Sequence, residues 1–436
     1  MKRTPLFILA VTLFLDLLGF GIIMPLIPNY IKHYHGGPFV GGMLLASFSL
    51  MQFFFSPIWG RVSDRHGRRP MMLLSLIGSS ISYFFFGAAP NLFVLFVARL
   101  SAGVLSAASL PTAQAYIADV TPPDKRASGM AVIGASFGLG FAFGPIIGGF
   151  LNNHPIWGIP PLAMPSYFAA ALALSNFVLA LFFLPETNHD RSSVREKESP
   201  FEAFYAIGRA MKQSTVRAEL FVFGFVTFAF TAVESSFSWL VLLRFKDVII
   251  KKSVHDYEVH GQLYASLGPV MKAQLEEKAQ TATTATIFSI VGITILVVQG
   301  AVMAGLAKKV GETALVRVGS LILACTIAGI AFCYSLSMMW FLAAMIAVGF
   351  GVLNPSLSSL ITKSAGVKER GTLSGAQSGL GSLARVIAPP INNLLIGIYS
   401  PVPFIFSSLL MTVAFALSLK LKQPLGDAAA PVTAVH

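Results

Sequence analysis

The feature that most limits what this chain can become is a series of apolar runs, each near twenty residues, separated by short polar breaks. About twenty apolar residues of helix cross the hydrocarbon core of a bilayer. In that medium a chain satisfies its backbone only as helices or as a closed barrel. The runs fall at 5–27, 41–59, 71–88, 92–118, 127–151, 165–184, 220–243, 282–306, 314–334, 338–362, 372–398 and 402–419. They predict an all-α membrane protein with twelve transmembrane helices. Composition agrees: 55% of the 436 residues are hydrophobic and only 11% are charged, with a mean hydropathy of +0.73. No soluble globule of this size is that apolar. The start, Lys2-Arg3 followed by an apolar run, has the outline of a signal peptide. Asp16 interrupts the run and no small-residue cleavage site follows, so a retained first helix is expected.

Charge in the breaks gives the orientation. The loop 60–70 carries Arg61, Asp64, Arg65, Arg68 and Arg69, and the loops at 125–126, 308–309 and 363–370 are also basic. The short alternate loops at 89–91, 152–164, 335–337 and 399–401 hold no Lys or Arg. Basic loops stay in the cytoplasm, so both termini are expected there, in a cell (inner) membrane protein. The net charge of +12 is then largely this bias, and no basic soluble domain points to nucleic acid. Two longer breaks stand out. The stretch 185–219 is a polar linker on the inside. The stretch 244–281 lies outside, and 262–279 within it is expected as a surface helix. Cys325 and Cys333 read as buried small hydrophobes on one helix, not as a disulfide or metal pair.

An internal repeat sets the architecture. Shifted by 244 residues, Gly67 meets Gly311, Pro111 meets Pro355, Ile117 meets Ile361, Arg126 meets Arg370 and Pro145 meets Pro389. Six spans repeated in one orientation make two halves around a central site near the midplane. The expected organisation is an N-terminal half 1–184, a linker 185–219, a C-terminal half 220–422 and a tail 423–436. In the second copy of the basic loop Lys308 stands where Asp64 does, which reads as a degenerate copy.

The loop 60–70, with Gly60, Asp64, Arg65, Gly67, Arg68 and Arg69, resembles the signature between helices two and three of major facilitator transporters. Arg99 to Gly103 resembles that family's helix-four signature. The run 134–149, with Gly138, Gly140, Gly144, Pro145, Gly148 and Gly149, resembles the helix-five signature of proton-driven drug exporters, and the text from 67 to 149 is most similar to tetracycline/proton antiporters. The resemblance implies the major facilitator fold and export driven by protons. One departure stands against tetracycline as substrate. Those antiporters have an acid in the third span, where this chain reads Ser80-Ile81-Ser82-Tyr83. In the loop, Asp64 is expected to face a helix N-terminus near Thr372, where the dipole favours negative charge. Arg68 is expected to pair with Asp119. Together these residues predict an inter-half latch; a plain topological anchor is the simpler alternative.

Asp16, Arg99, Glu234 and Arg385 lie inside spans. Such groups are costly in hydrocarbon and face a cavity or each other. At 1.5 Å per residue Asp16 sits roughly 16 Å from the inner face, Glu234 about 21 Å and Arg385 about 20 Å. Asp16 and Glu234 are the proton-coupling candidates, Arg99 and Arg385 their charge partners. Gln52, Gln114, Asn176, Gln299, Asn354, Gln377 and Asn392 are candidates for a substrate cavity, with interhelical hydrogen bonding the commoner use of such amides. No metal-spaced cluster, nucleotide loop or nucleophile elbow is present, so no enzyme and no cofactor is expected beyond a proton gradient. The expected function is proton-coupled export of small, mostly apolar organic compounds by a monomer in the bilayer. A metabolite facilitator or importer, or a lipid exporter, is the alternative.

Overall fold

The computed structural model describes residues 3–122, 126–154, 158–188, 205, 208, 209, 211, 214–249, 268–364 and 370–421. These form long helices and, among the described residues, no strand. In chain order they are α1 (Arg3–Ile23, running through a short turn at Met24–Leu26 into Ile27–His33), α2 (Pro38–His66), α3 (Arg68–Gly87), α4 (Leu92–Ser106 continuing as Ser109–Val120), α5 (Arg126–Asn153) and α6 (Met164–Phe183). After the linker come α7 (Ser214–Arg244), α8 (Pro269–Val297, with a π turn at Val298–Val302 leading into Met303–Val310), α9 (Glu312–Ala331), α10 (Leu336–Lys363), α11 (Arg370–Ile398) and α12 (Val402–Ser418). Ten helices among the described residues are long and apolar enough to cross a membrane. The two that fall short are α11, which carries Gln377, Arg385, Asn392 and Asn393, and α12, which has 17 residues.

The loop between α2 and α3 marks one end of the bundle, called here the basic face; the other end is the far face. Gly67 makes the reversal between those helices at φ 107°, and Gly311 makes the corresponding one between α8 and α9 at φ 85°. A side chain at such an angle clashes with its own backbone, so only glycine turns the chain this sharply without strain.

Helices α1–α6 pack on one another, as do α7–α12, and the two groups meet along α2 with α11 and α5 with α8. Small residues allow these approaches. A Cβ placed on Gly42 of α2 would lie 2.5 Å from the Pro389 carbonyl oxygen of α11, and one on Gly292 of α8 2.3 Å from the Ala142 nitrogen of α5. Polar links reinforce the seam at the far face. Asn29 Nδ2 donates to Thr281 Oγ1 at 2.9 Å and to Glu277 Oε1 at 3.5 Å. Asn153 Nδ2 donates to the Lys278 carbonyl at 3.2 Å.

Two expectations change. Residues from Pro269 onward are not a separate surface helix: they extend α8 outward without a break, and 262–267 lie outside the described residues. The extension is polar, so hydropathy hides it, yet its backbone bonds continue the helix below. Cys325 is exposed, not buried, and Cys333 lies beyond the end of α9, where its thiol donates to the Ser335 carbonyl.

Candidate functional site

Asp16 projects from the middle of α1. Its carboxylate accepts from Ser109 Oγ of α4 at 2.8 Å and, weakly, from Ser79 Oγ of α3 at 3.5 Å. Arg99 does not reach it. The guanidinium is buried between the rings of Phe48 and Phe86, 5.4 and 5.3 Å from their centroids, and its Nε has no partner among the described residues. The expected partnership of Arg99 with Asp16 is not made; aromatic rings surround the cation instead. A cation over aromatic faces is stabilised by the ring quadrupole; that is how Arg99 is accommodated without a carboxylate. Ser79 and Ser109 come from other helices, and no local pattern around Asp16 announces them.

In the second group Glu234 is half-buried on α7 and Arg385 of α11 feels its charge. The two make no direct ion pair; Arg385 leans on Ser382 Oγ at 3.4 Å and stays exposed although it lies 15 residues inside its helix. At 1.5 Å per residue that is about 22 Å deep. A guanidinium at that depth is costly in hydrocarbon and is expected to face an opening between the helices.

The amides divide. Asn176 and Asn392 are fully buried and do not line a cavity: Asn176 Nδ2 donates to the Thr12 carbonyl of α1, while Asn392 donates to the Ala388 carbonyl and accepts from Ser407. Backbone carbonyls and a hydroxyl within reach satisfy Asn392 and the Asn176 N–H group, while Asn176 Oδ1 has no partner among the described residues. Gln377 donates to Ser358 Oγ at 2.6 Å, joining α11 to α10. Gln52, Gln114, Gln299 and Asn354 remain accessible, Gln114 most of all, and make no side-chain hydrogen bond among the described residues.

The glycines of α5 serve two neighbours. Gly140, Gly144 and Gly148 recur every four residues and press on α1: a Cβ at Gly144 would lie 2.6 Å from the Gly21 carbonyl carbon, and one at Gly148 2.3 Å from the Ile22 oxygen. Gly138 and Gly149 face Leu296 and Ala285 of α8. Pro145 sits inside α5, which continues past it to Asn153.

At the basic face Asp64 turns onto its own group. Its Oδ1 accepts from Arg68 Nη1 at 2.5 Å, and Arg68 Nε reaches Asp119 Oδ2 at 3.2 Å. The expected approach of Asp64 to α11 is not made in this conformation; the Thr372 side chain lies outside the described residues. Arg65 is exposed, Gly60 lies near Pro111, and Arg69 donates to the Leu181 carbonyl. Glu186, unremarked in the sequence, anchors the turn. Its two oxygens accept from the backbone N–H groups of Arg68, Arg69, Thr187 and Asn188 at 2.8–3.1 Å. Burial pushes the Glu186 carboxyl up, but these four donors outweigh it and hold the group below its ordinary value. A second acid, Glu219 of α7, is 2% exposed and accepts from Ser364 Oγ at 2.7 Å.

Long apolar helices with charges held inside them, sealed at one face, define a multi-pass membrane transporter. The comparisons give the family. The family model for the Major Facilitator Superfamily matches residues 9–389 and 259–434, and this chain belongs to that superfamily. Tetracycline resistance protein, class E, of Escherichia coli is 31% identical over 392 residues, 89% of this chain and 87% of that protein. Multidrug resistance protein 2 of Bacillus subtilis (strain 168) is 29% identical over 440 residues, 98% of each. The crystal structure of the human organic anion transporter MFSD10 covers 95% of this chain and 99% of its own, with a TM-score of 0.69 at 24% identity, a likeness of fold.

Proposed function

We propose that this transporter is a proton-coupled exporter of small, mostly apolar organic compounds, with its basic face in the cytoplasm. The observation that carries this reading is Asp16: a carboxyl inside the first span, bonded to two hydroxyls and to no cation. Such a group takes up and releases a proton without first breaking an ion pair. Glu234 is the second carrier, with Arg385 close enough to respond to its charge. Export is supported by the relatives, whose names are those of tetracycline and multidrug resistance proteins. Tetracycline itself is disfavoured, because the third span offers Ser82 where those antiporters have an acid.

In this reading residues 1–184 and 220–422 are the two moving halves, the linker 185–219 joins them in the cytoplasm, and one chain suffices. Gln52, Gln114, Gln299 and Asn354 line the substrate cavity. Asp64 is the latch residue that leaves Arg68 for α11 when the basic face closes. The exposed guanidinium of Arg385, which makes no direct ion pair, supports a second reading, transport of organic anions, because its planar donor fork suits a carboxylate or phosphate.

The test uses proteoliposomes with an imposed pH gradient and compounds first selected by thermal shift. Wild type is expected to concentrate them, and Asp16→Asn to lose uphill transport while retaining downhill exchange. If Asp16→Asn still concentrates substrate, Asp16 is not the essential carrier and Glu234 takes its place.

A further inference from the structure

The two basic-face turns are related by more than glycine. At the offset of 244 residues Asp64 corresponds to Lys308, Arg68 to Glu312 and Asp119 to Lys363, so every sign in the first set is reversed in the second. The bond is kept while the charges exchange. Arg68 Nε meets Asp119 Oδ2 at 3.2 Å, and Lys363 Nζ meets Glu312 Oε1 at 2.8 Å. Each pair joins the first turn of one helix, α3 or α9, to the far end of the next, α4 or α10. Each follows a glycine of positive φ, 107° in one turn and 85° in the other. A hydroxyl supports each: Thr187 Oγ1 donates to Asp119 at 3.1 Å, and Ser359 Oγ donates to Glu312 at 2.6 Å. A decayed copy would have lost the partners at random. Here the acid and the base changed places together.

We infer that Glu312 and Lys363 form a second, sign-inverted clamp and are positioning residues of the transport cycle, so that α9 and α10 move as one unit when the basic face opens and closes. This rests on the transporter reading above but not on proton coupling. The place supports it. Lys363 ends α10 directly before the connection to α11, the helix that crosses to α2 at the seam. One turn earlier on α10, Ser358 holds Gln377 of α11. A shift of α10 is therefore passed to α11. The pair is not a deep one, since the Lys363 side chain is 57% exposed and that of Glu312 18%. It acts by direction and register more than by energy.

The test compares Glu312→Gln, Lys363→Gln and the exchange Glu312→Lys with Lys363→Glu, in a Cys325→Ser, Cys333→Ala background carrying Ser378→Cys, an exposed position two turns before Arg385 on α11. Three quantities are measured: transport in vesicles, the rate at which a membrane-impermeant maleimide labels the introduced thiol from the basic face, and the melting temperature. Each single neutralisation is expected to slow transport about three- to fivefold, the scale of a part-exposed pair. Labelling should rise at least about twofold as α10 is released, with melting within about 2 °C of the parent. The exchange should restore both rates. Parental rates in both singles overturn the inference. So does an exchange no better than the singles, and so do singles whose transport falls only in step with melting, which would make the pair a staple. Labelling needs no gradient, so a wild type that moves nothing under a pH gradient sinks the proton-coupled reading while labelling still judges the clamp.

Discussion

At the far face, α2 and α11 meet backbone to backbone, Gly42 against Pro389, and α5 meets α8 the same way. At the basic face the described polar links stay within each group, Arg68 with Asp119 and Glu312 with Lys363. The seam closes by shape, through contacts that need near-zero side-chain volume. The basic ends are held by charge, through contacts that survive when the two groups separate. Shape gives a face that is either shut or broken. Charge within a group gives a rigid body that swings. The described contacts accordingly close the far face, while Gln114, nearer the basic one, and Arg385 stay accessible.

The largest break should come at the seam. Gly292→Val places carbon where the Ala142 backbone already lies, and neither helix can shift without opening the far face. Overpacking of this kind costs about 1–3 kcal/mol and sometimes more. Transport should fall about tenfold or more, with new labelling of far-face cysteines. Wild-type transport in that variant would show that the two groups do not close backbone to backbone.

Next in size is a covalent test of the same seam. Asn29 and Thr281 bond across the groups at 2.9 Å. Cysteines at the two positions, joined by a short bismaleimide, should arrest transport with the basic face open, whereas either cysteine alone treated in the same way stays active. Arrest with the basic face shut would reverse the assignment of the two faces.

How much of this could be read in the sequence depends on how local each signal is. The apolar runs mark the helices because each must satisfy the bilayer on its own, and the glycine turns at 67 and 311 mark the repeat. The outward extension of α8 was not legible, since polar residues such as Glu276, Glu277 and Lys278 look the same in a loop and in a helix beyond the membrane. The setting of Asp16 was half legible. Its position is local, but Ser79 and Ser109 arrive from other helices, and Arg99 goes to Phe48 and Phe86 instead. Asn176 and Asn392 look like cavity residues until the carbonyls of Thr12 and Ala388 are seen beside them. The second basic-face turn looks degenerate when matched by identity and becomes ordered when matched by pairing.

A smaller effect separates the two clamps. Asp119→Asn removes the charge that Arg68 and Thr187 share. Arg68 still keeps Asp64 at 2.5 Å, so the loss should be about 1 kcal/mol, read as a fall in melting temperature of a few degrees. A loss several times larger would mean that Asp64 gives Arg68 no alternative partner.

The smallest expected effect belongs to Glu186, and its sign follows from its bonds. Four backbone donors favour the ionised carboxyl, which lies below its ordinary value of 4.5. A group depressed on folding stabilises the protein at pH values above its unfolded value, and that contribution is lost as pH falls through the folded one. Glu186→Gln should therefore lower the melting temperature slightly at pH 7. The gap between variant and wild type should stay constant down to about pH 4.5 and then narrow as the wild-type carboxyl is protonated. The site is partly exposed, so solvent screens it and the gap is small. The Glu312–Lys363 turn has no Glu186 counterpart among its described partners, Ser359 and Lys363. Acid should thus loosen the α2–α3 turn first, seen as faster amide exchange at Arg68 and Arg69 than at Thr313 below about pH 4.5. Equal acceleration at both turns would show that Glu186 does not distinguish them.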